Sequence, residues 1–155
     1  MNVLALNPFD LKAALLAKHA QHVVLIHFPI ALYLSGTVFD GCARIFRKSG
    51  LAEVARWNFQ FAAVMSIPAA ATGILAWQWA LEGKRLKSLL LLHLLFACAT
   101  VVGLWLTVWL RSKRRKVTPE GATPLATLLL EVGVCMIVSL TAHIGGFLSG
   151  VNTGS

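Results

Sequence analysis

Charge is what this chain has least of. Of its 155 residues, 13% are charged, against about 25% in an ordinary soluble domain. Acidic residues are scarcest, six against fourteen Lys and Arg. A chain that is also 57% hydrophobic cannot hide its apolar surface from water in one core, so the bilayer is its natural solvent. Cysteine is scarce as well. Cys42, Cys98 and Cys135 lie in or at the ends of apolar runs, odd in number and without CxxC spacing. That argues against a disulfide framework or a metal knuckle and leaves them as small buried hydrophobes. No secretory leader is read in the first twenty residues, where Asp10, Lys12 and Lys18 interrupt any apolar core. No P-loop, HExxH or Ser-His-Asp set occurs, so neither a nucleotide enzyme nor a hydrolase is expected.

What is present is four long apolar runs, at roughly residues 23–43, 59–81, 88–110 and 125–148. Each reaches the ~20 residues that an α-helix needs to span a membrane. The runs do not alternate, which excludes a β-barrel. The expected fold is therefore all-α: one domain over residues 1–155, an integral membrane up-down four-helix bundle with short loops. Asn7-Pro8 resembles a helix start, and Leu11, Leu15 and Leu16 would line one face of a short interfacial helix before the first span. Pro29 and Pro68 are expected to bend their helices. Ala69, Ala70, Ala71 and Gly73, and Ala97, Thr100, Gly103 and Thr107, permit close helix approach or leave room for a cofactor.

The formal charge of +8 sits in short segments between the spans. That is a topology signal and an anionic-lipid contact rather than a nucleic-acid surface. Nine basic residues (Arg44, Arg47, Lys48, Arg56, Arg111, Lys113, Arg114, Arg115, Lys116) fall on one side, and five (Lys12, Lys18, Lys84, Arg85, Lys87) on the other. The positive-inside rule places the richer side in the cytoplasm and both termini outside. Trp57 and Trp109 then sit at one interface, Trp77 and Trp79 at the other.

Histidines carry the chemistry. His27, His93 and His143 come from three non-consecutive segments, and counted at 1.5 Å per residue all lie within about 10 Å of the outer interface. Intramembrane ionisable groups usually face a bundle interior or cavity, and neutral imidazole is a good axial ligand to haem iron. In an up-down bundle the first and third helices are diagonal, so His27 and His93 form the expected axial pair for haem b. His143 would be a neighbour of that pair or an alternative ligand. Thr100 and Gly103 lie on the His93 face, and Lys84, Arg85 and Lys87 lie where haem propionates would emerge. Two other readings stand beside this one: direct binding of a metal by the same histidines, and histidines that serve only as polar contacts between helices. His19 and His22, one turn apart, read as interfacial residues. Glu131, about two turns into the fourth span, reads as protonated or paired with a snorkelling Lys or Arg, ahead of a proton relay to quinone. Asp40, near the end of the first span, reads as more easily solvated.

The segment His22-Val-Val-Leu-Ile-His27-Phe28-Pro29-Ile30 resembles the hallmark of a bacterial membrane family known as domain of unknown function twenty-two thirty-one. Thr72-Gly73 with Trp77, an early third-helix His93, and Ala142-His143-Ile144-Gly145-Gly146 are similar to its later motifs. Val23, Ala76, Ala142 and Phe147 depart from them. The resemblance implies a four-helix bacterial membrane domain with histidines clustered on one side, and hence the bacterial inner membrane. Together these readings favour a b-type cytochrome or haem-bearing subunit. It would pass electrons between a periplasmic redox protein and the quinone pool or a larger complex. The rivals are a cofactor-free accessory subunit and a histidine-based metal-handling protein.

Overall fold

The computed structural model describes residues 20–79, 88–113 and 124–149. Those residues form four helices: α1 (Ala20–Phe46), α2 (Ser49–Trp79), α3 (Ser88–Lys113) and α4 (Leu125–Leu148). The expected interfacial helix lies outside the described residues, as do His19 and eight of the fourteen Lys and Arg (Lys12, Lys18, Lys84, Arg85, Lys87, Arg114, Arg115 and Lys116). No strand occurs among the described residues. All four helices are long and apolar enough to cross a membrane. The most apolar stretch, in α3, has a mean hydropathy of 2.4 while only 11% of it is buried inside the protein. Such a surface would be unstable against water, and lipid contact is its physical explanation.

α4 matches its expected bounds. α2 begins ten residues earlier than its apolar run, because hydropathy marks the membrane-embedded part of a helix and not its ends. Arg56, expected in a loop, is therefore helical, and it pairs with Glu53 one turn away. Arg111 likewise lies inside α3. The α1–α2 connection is only Arg47 and Lys48. Arg47 has φ 52° and Lys48 N–H donates to the Ala43 carbonyl at 3.1 Å, the six-to-one bond of a Schellman stop. Pro29 and Pro68 both sit inside unbroken helices.

α1 packs most extensively on α2, and α3 on α4; α2–α3 and α1–α4 contacts close the ring and leave α1 and α3 diagonal. The closeness of the first pair has a cause in the sequence. Ala52, Ala55, Phe59, Ala62, Ser66 and Ala69 are all buried and recur every three or four residues along α2. Five small residues in that stripe let the backbones approach, as helix association in lipid requires. Tyr33, Phe59, Leu104, Val134 and Val138 fill the centre. Gly103 belongs to the same packing, since a Cβ there would lie 2.8 Å from Val134 Cγ2.

Candidate functional site

Polar residues collect at the two ends of the bundle. One end holds the start of α1 and α3 and the end of α2 and α4. There His22 turns inward. Its Nδ1 donates to the Ala69 carbonyl at 3.0 Å and lies 3.4 Å from the Thr72 hydroxyl. Thr72 in turn bonds the Pro68 and Ala69 carbonyls of its own helix. The His22 ring rests on Gly73, where a Cβ would come within 2.9 Å of Cε1. With Nδ1 occupied as a donor, Nε2 is left as the basic nitrogen.

His93 repeats this arrangement from α3. It is half-buried, and its ring rests on Gly145 of α4, where a Cβ would lie 3.2 Å from Cε1. The backbone of Thr141 interacts with the ring, yet buried Nδ1 itself has no hydrogen-bond partner. The two imidazoles are close enough for their charges to interact. They come from diagonal helices, and each is backed by a glycine on a different neighbouring helix. Two imidazoles at one end of the bundle are nitrogen donors of the kind that bind metals. Small side chains and a Thr100–Thr141 hydroxyl pair at 2.9 Å continue the layer inward.

The other histidines of the expected layer are not brought into it. His27 is exposed on α1, and its Nδ1 donates to the Val23 carbonyl of its own helix at 2.6 Å. His143 is exposed on α4, edge-on to Phe147 with ring centroids 5.0 Å apart. The reason is helical geometry. Five residues turn a helix by about 140°, so His22 and His27 cannot both face the interior. The usable signal was the stripe His22, Pro29, Tyr33, Gly36, Asp40, spaced seven, four, three and four. The last four are buried, and His22 lies on their line. Among the described residues, no group of three or more His, Cys, Asp or Glu side chains is placed to hold a metal ion.

The opposite end holds a charged cluster. Arg111 of α3 donates through Nη1 to Glu131 Oε1 of α4 at 2.5 Å and through Nη2 to Asp40 Oδ1 of α1 at 2.8 Å. Its guanidinium lies 5.0 Å from the centroid of Phe59 on α2, so all four helices meet on one side chain. Of the two states expected of Glu131, protonated or paired with a Lys or Arg, the structure shows the arginine pairing. Asp40 does not have the solvated position expected of it, being 1% exposed. It shares the inward stripe with Tyr33, and a residue on that stripe faces Arg111 however near the helix end it lies. Between the two ends, the Tyr33 and Thr107 hydroxyls pair at 2.8 Å across the same diagonal.

The family model described as Predicted membrane protein (DUF2231) matches residues 18–152. Neither a curated protein nor a solved structure matches the chain. Of the motif residues on which the family resemblance rested, His22, Thr72, Gly73, His93 and Gly145 lie at the histidine end in contact with a ring or its partner, whereas His27 and His143 are exposed. With all four helices inside the match, the chain belongs to the DUF2231 family of membrane proteins.

Proposed function

We propose that this protein is a haem-bearing membrane subunit of b-cytochrome character, with His22 and His93 as the residues that would hold the haem. It would pass electrons between a redox protein on the outer face and the quinone pool or a larger membrane complex. The observation that carries the reading is the approach of His22 and His93 from diagonal helices, each ring packed on a glycine. The residues present fit such a group. Gly73 and Gly145 leave room for the two imidazole rings, which a Cβ at either position would crowd, and the orphaned Nδ1 of His93 is a buried nitrogen in need of a role. The Ala69 carbonyl holds the His22 tautomer that leaves Nε2 available, the usual arrangement of a ligating histidine. Haem, when bound, supplies the one-electron chemistry. The chain's part is to hold two neutral imidazoles, exclude water and set the depth of the site.

The histidine end is assigned to the periplasmic side of a bacterial inner membrane. Arg111 is interior, so nine basic residues at the opposite end become eight, still more than five, and the positive-inside rule keeps its sign. The test is the reduced-minus-oxidised absorption spectrum of the purified full chain and of four alanine variants. A low-spin bis-histidine signal is expected, lost in His22→Ala and in His93→Ala but kept in His27→Ala and His143→Ala. Loss in His27→Ala with retention in His22→Ala would reverse the pairing. A folded protein that gives no haem signal after supply of haem would leave a cofactor-free accessory subunit as the better reading, and stoichiometric non-haem metal would favour metal handling.

A further inference from the structure

We propose that the seam between α1 and α4 is a binding site for one anionic phospholipid, an acyl chain lying in the seam and the phosphate resting on Arg47 and Lys48. This seam is the least extensively packed of the four that close the ring. It leaves a groove of about 400 Å³, lined by Thr37, Val132, Cys135, Met136, Ser139 and Leu140. The two hydroxyls in it are already spent. Thr37 donates to the Tyr33 carbonyl at 3.0 Å and Ser139 to the Cys135 carbonyl at 2.9 Å, each on its own helix. A concave surface with its polar groups satisfied suits a hydrocarbon chain and offers a polar headgroup nothing to bind.

Depth and charge select the lipid. The groove lies about the middle of α4, hence near the centre of the bilayer. Thr37 stands ten residues from Arg47, about 15 Å along the chain, which is half the ~30 Å hydrocarbon thickness. A chain whose headgroup sits at the α1–α2 turn therefore ends at the depth of the groove. The path between them is open. Gly41 is one turn on from Thr37 toward the turn, and a Cβ there would meet nothing within 4 Å. At the turn, Arg47 and Lys48 are both exposed. Glu53, the acid that follows on α2, is taken by Arg56, so among the described residues no acid pairs with Arg47 or Lys48. Two adjacent cations at the level of the headgroups attract a phosphodiester that carries a net negative charge more than one that a choline neutralises.

The inference is independent of the haem reading, since neither histidine of that pair lines the groove. It is tested by native mass spectrometry of the delipidated full chain in detergent, titrated with phosphatidylglycerol and with phosphatidylcholine of identical acyl chains. The first phosphatidylglycerol should bind roughly tenfold more tightly, a size that two basic residues at an anionic headgroup can supply. Arg47→Gln combined with Lys48→Gln should bring the two lipids level. Ser139→Trp, which puts a ring into the groove from an exposed position, should weaken both lipids severalfold and keep the preference. Elution as the wild-type species checks the fold of each variant, and Leu140→Trp, also exposed, replaces Ser139→Trp should that one not fold. Equal affinities in the wild type, an undiminished preference in the double variant, or unchanged binding in the folded groove variant would overturn the proposal.

Discussion

Arg111 of α3 and Asp40 of α1 stand 2.8 Å apart although 71 positions separate them, and their helices share no extensive contact. The long side chain spans the diagonal that the backbones do not. Removing it takes the guanidinium away from two buried carboxyls. Arg111→Ala is expected to cost roughly 3–5 kcal/mol, the range for breaking one side of a buried ion pair. Arg111→Lys should recover only part of that, because an ammonium lacks the fork that reaches both acids. The triple variant Asp40→Asn, Arg111→Met, Glu131→Gln should be more stable than Arg111→Ala. Unfolding curves in mild detergent measure all three, and a triple variant no better than Arg111→Ala would contradict the charge-balance account.

Gly103 sits where a Cβ would lie 2.8 Å from Val134, in the seam between α3 and α4. Gly103→Ala should destabilise by about 1–3 kcal/mol through overpacking. Adding Val134→Ala should restore most of the loss, since it removes the two methyl groups in the way. Simple additivity of the two changes would show that the seam is not as tight as its geometry.

At the histidine end, Gly73→Ala should disturb His22 more than Gly145→Ala disturbs His93, because the intruding Cβ comes to 2.9 Å in the first case and 3.2 Å in the second. Imidazole resonances of isotope-labelled protein report this directly: the His22 signals should move strongly in Gly73→Ala while those of exposed His27 stay in place. Equal shifts at His22 and His27 would mean a general rearrangement instead.

The Tyr33–Thr107 bond of 2.8 Å is buried in the core that Leu104, Val134 and Val138 fill. Interhelical hydrogen bonds in membranes contribute about 0.6 kcal/mol on average and up to about 1.7. Tyr33→Phe should fall toward the upper value, because it leaves a buried hydroxyl on Thr107 that can turn only to the Gly103 carbonyl, 2.9 Å away. A double-mutant cycle with Thr107→Val measures the coupling; a coupling near zero would show the pair to be incidental.

Single cysteines at Ser112 and Ser149, both exposed and at opposite ends of the bundle, should label from opposite sides of sealed vesicles once Cys42, Cys98 and Cys135 are replaced. The expected outcome is Ser112 on the cytoplasmic side. Labelling of Ser149 from the cytoplasm would invert the proposed orientation and put the histidine end inside.

Four spans, an all-α fold and membership of the membrane family were legible in the residues alone. They depend on the free energy of moving whole apolar segments out of water, a quantity that sums along the chain and needs no knowledge of neighbours. The diagonal relation of the first and third helices was only favoured by short connections, and the helix contacts decided it. Two features were legible only in part. Glu131 was expected to be either protonated or paired with a Lys or Arg that the sequence did not single out, and the histidines were ranked by depth. Depth is one of two coordinates on a helix, and rotation is the other. His27 had the favoured depth and the outward rotation, whereas His22 lay on the line of Pro29, Tyr33, Gly36 and Asp40 that the bundle buries. Rotation is decided by packing. The small-residue stripe of α2 from Ala52 to Ala69 draws α1 down along that one face, and this sends His22 and Asp40 inward together at opposite ends. The pairing of Arg111 with both acids, and of His22 with His93, was decided only there, because contacts across a bundle depend on where four helix faces meet and no single helix carries that information.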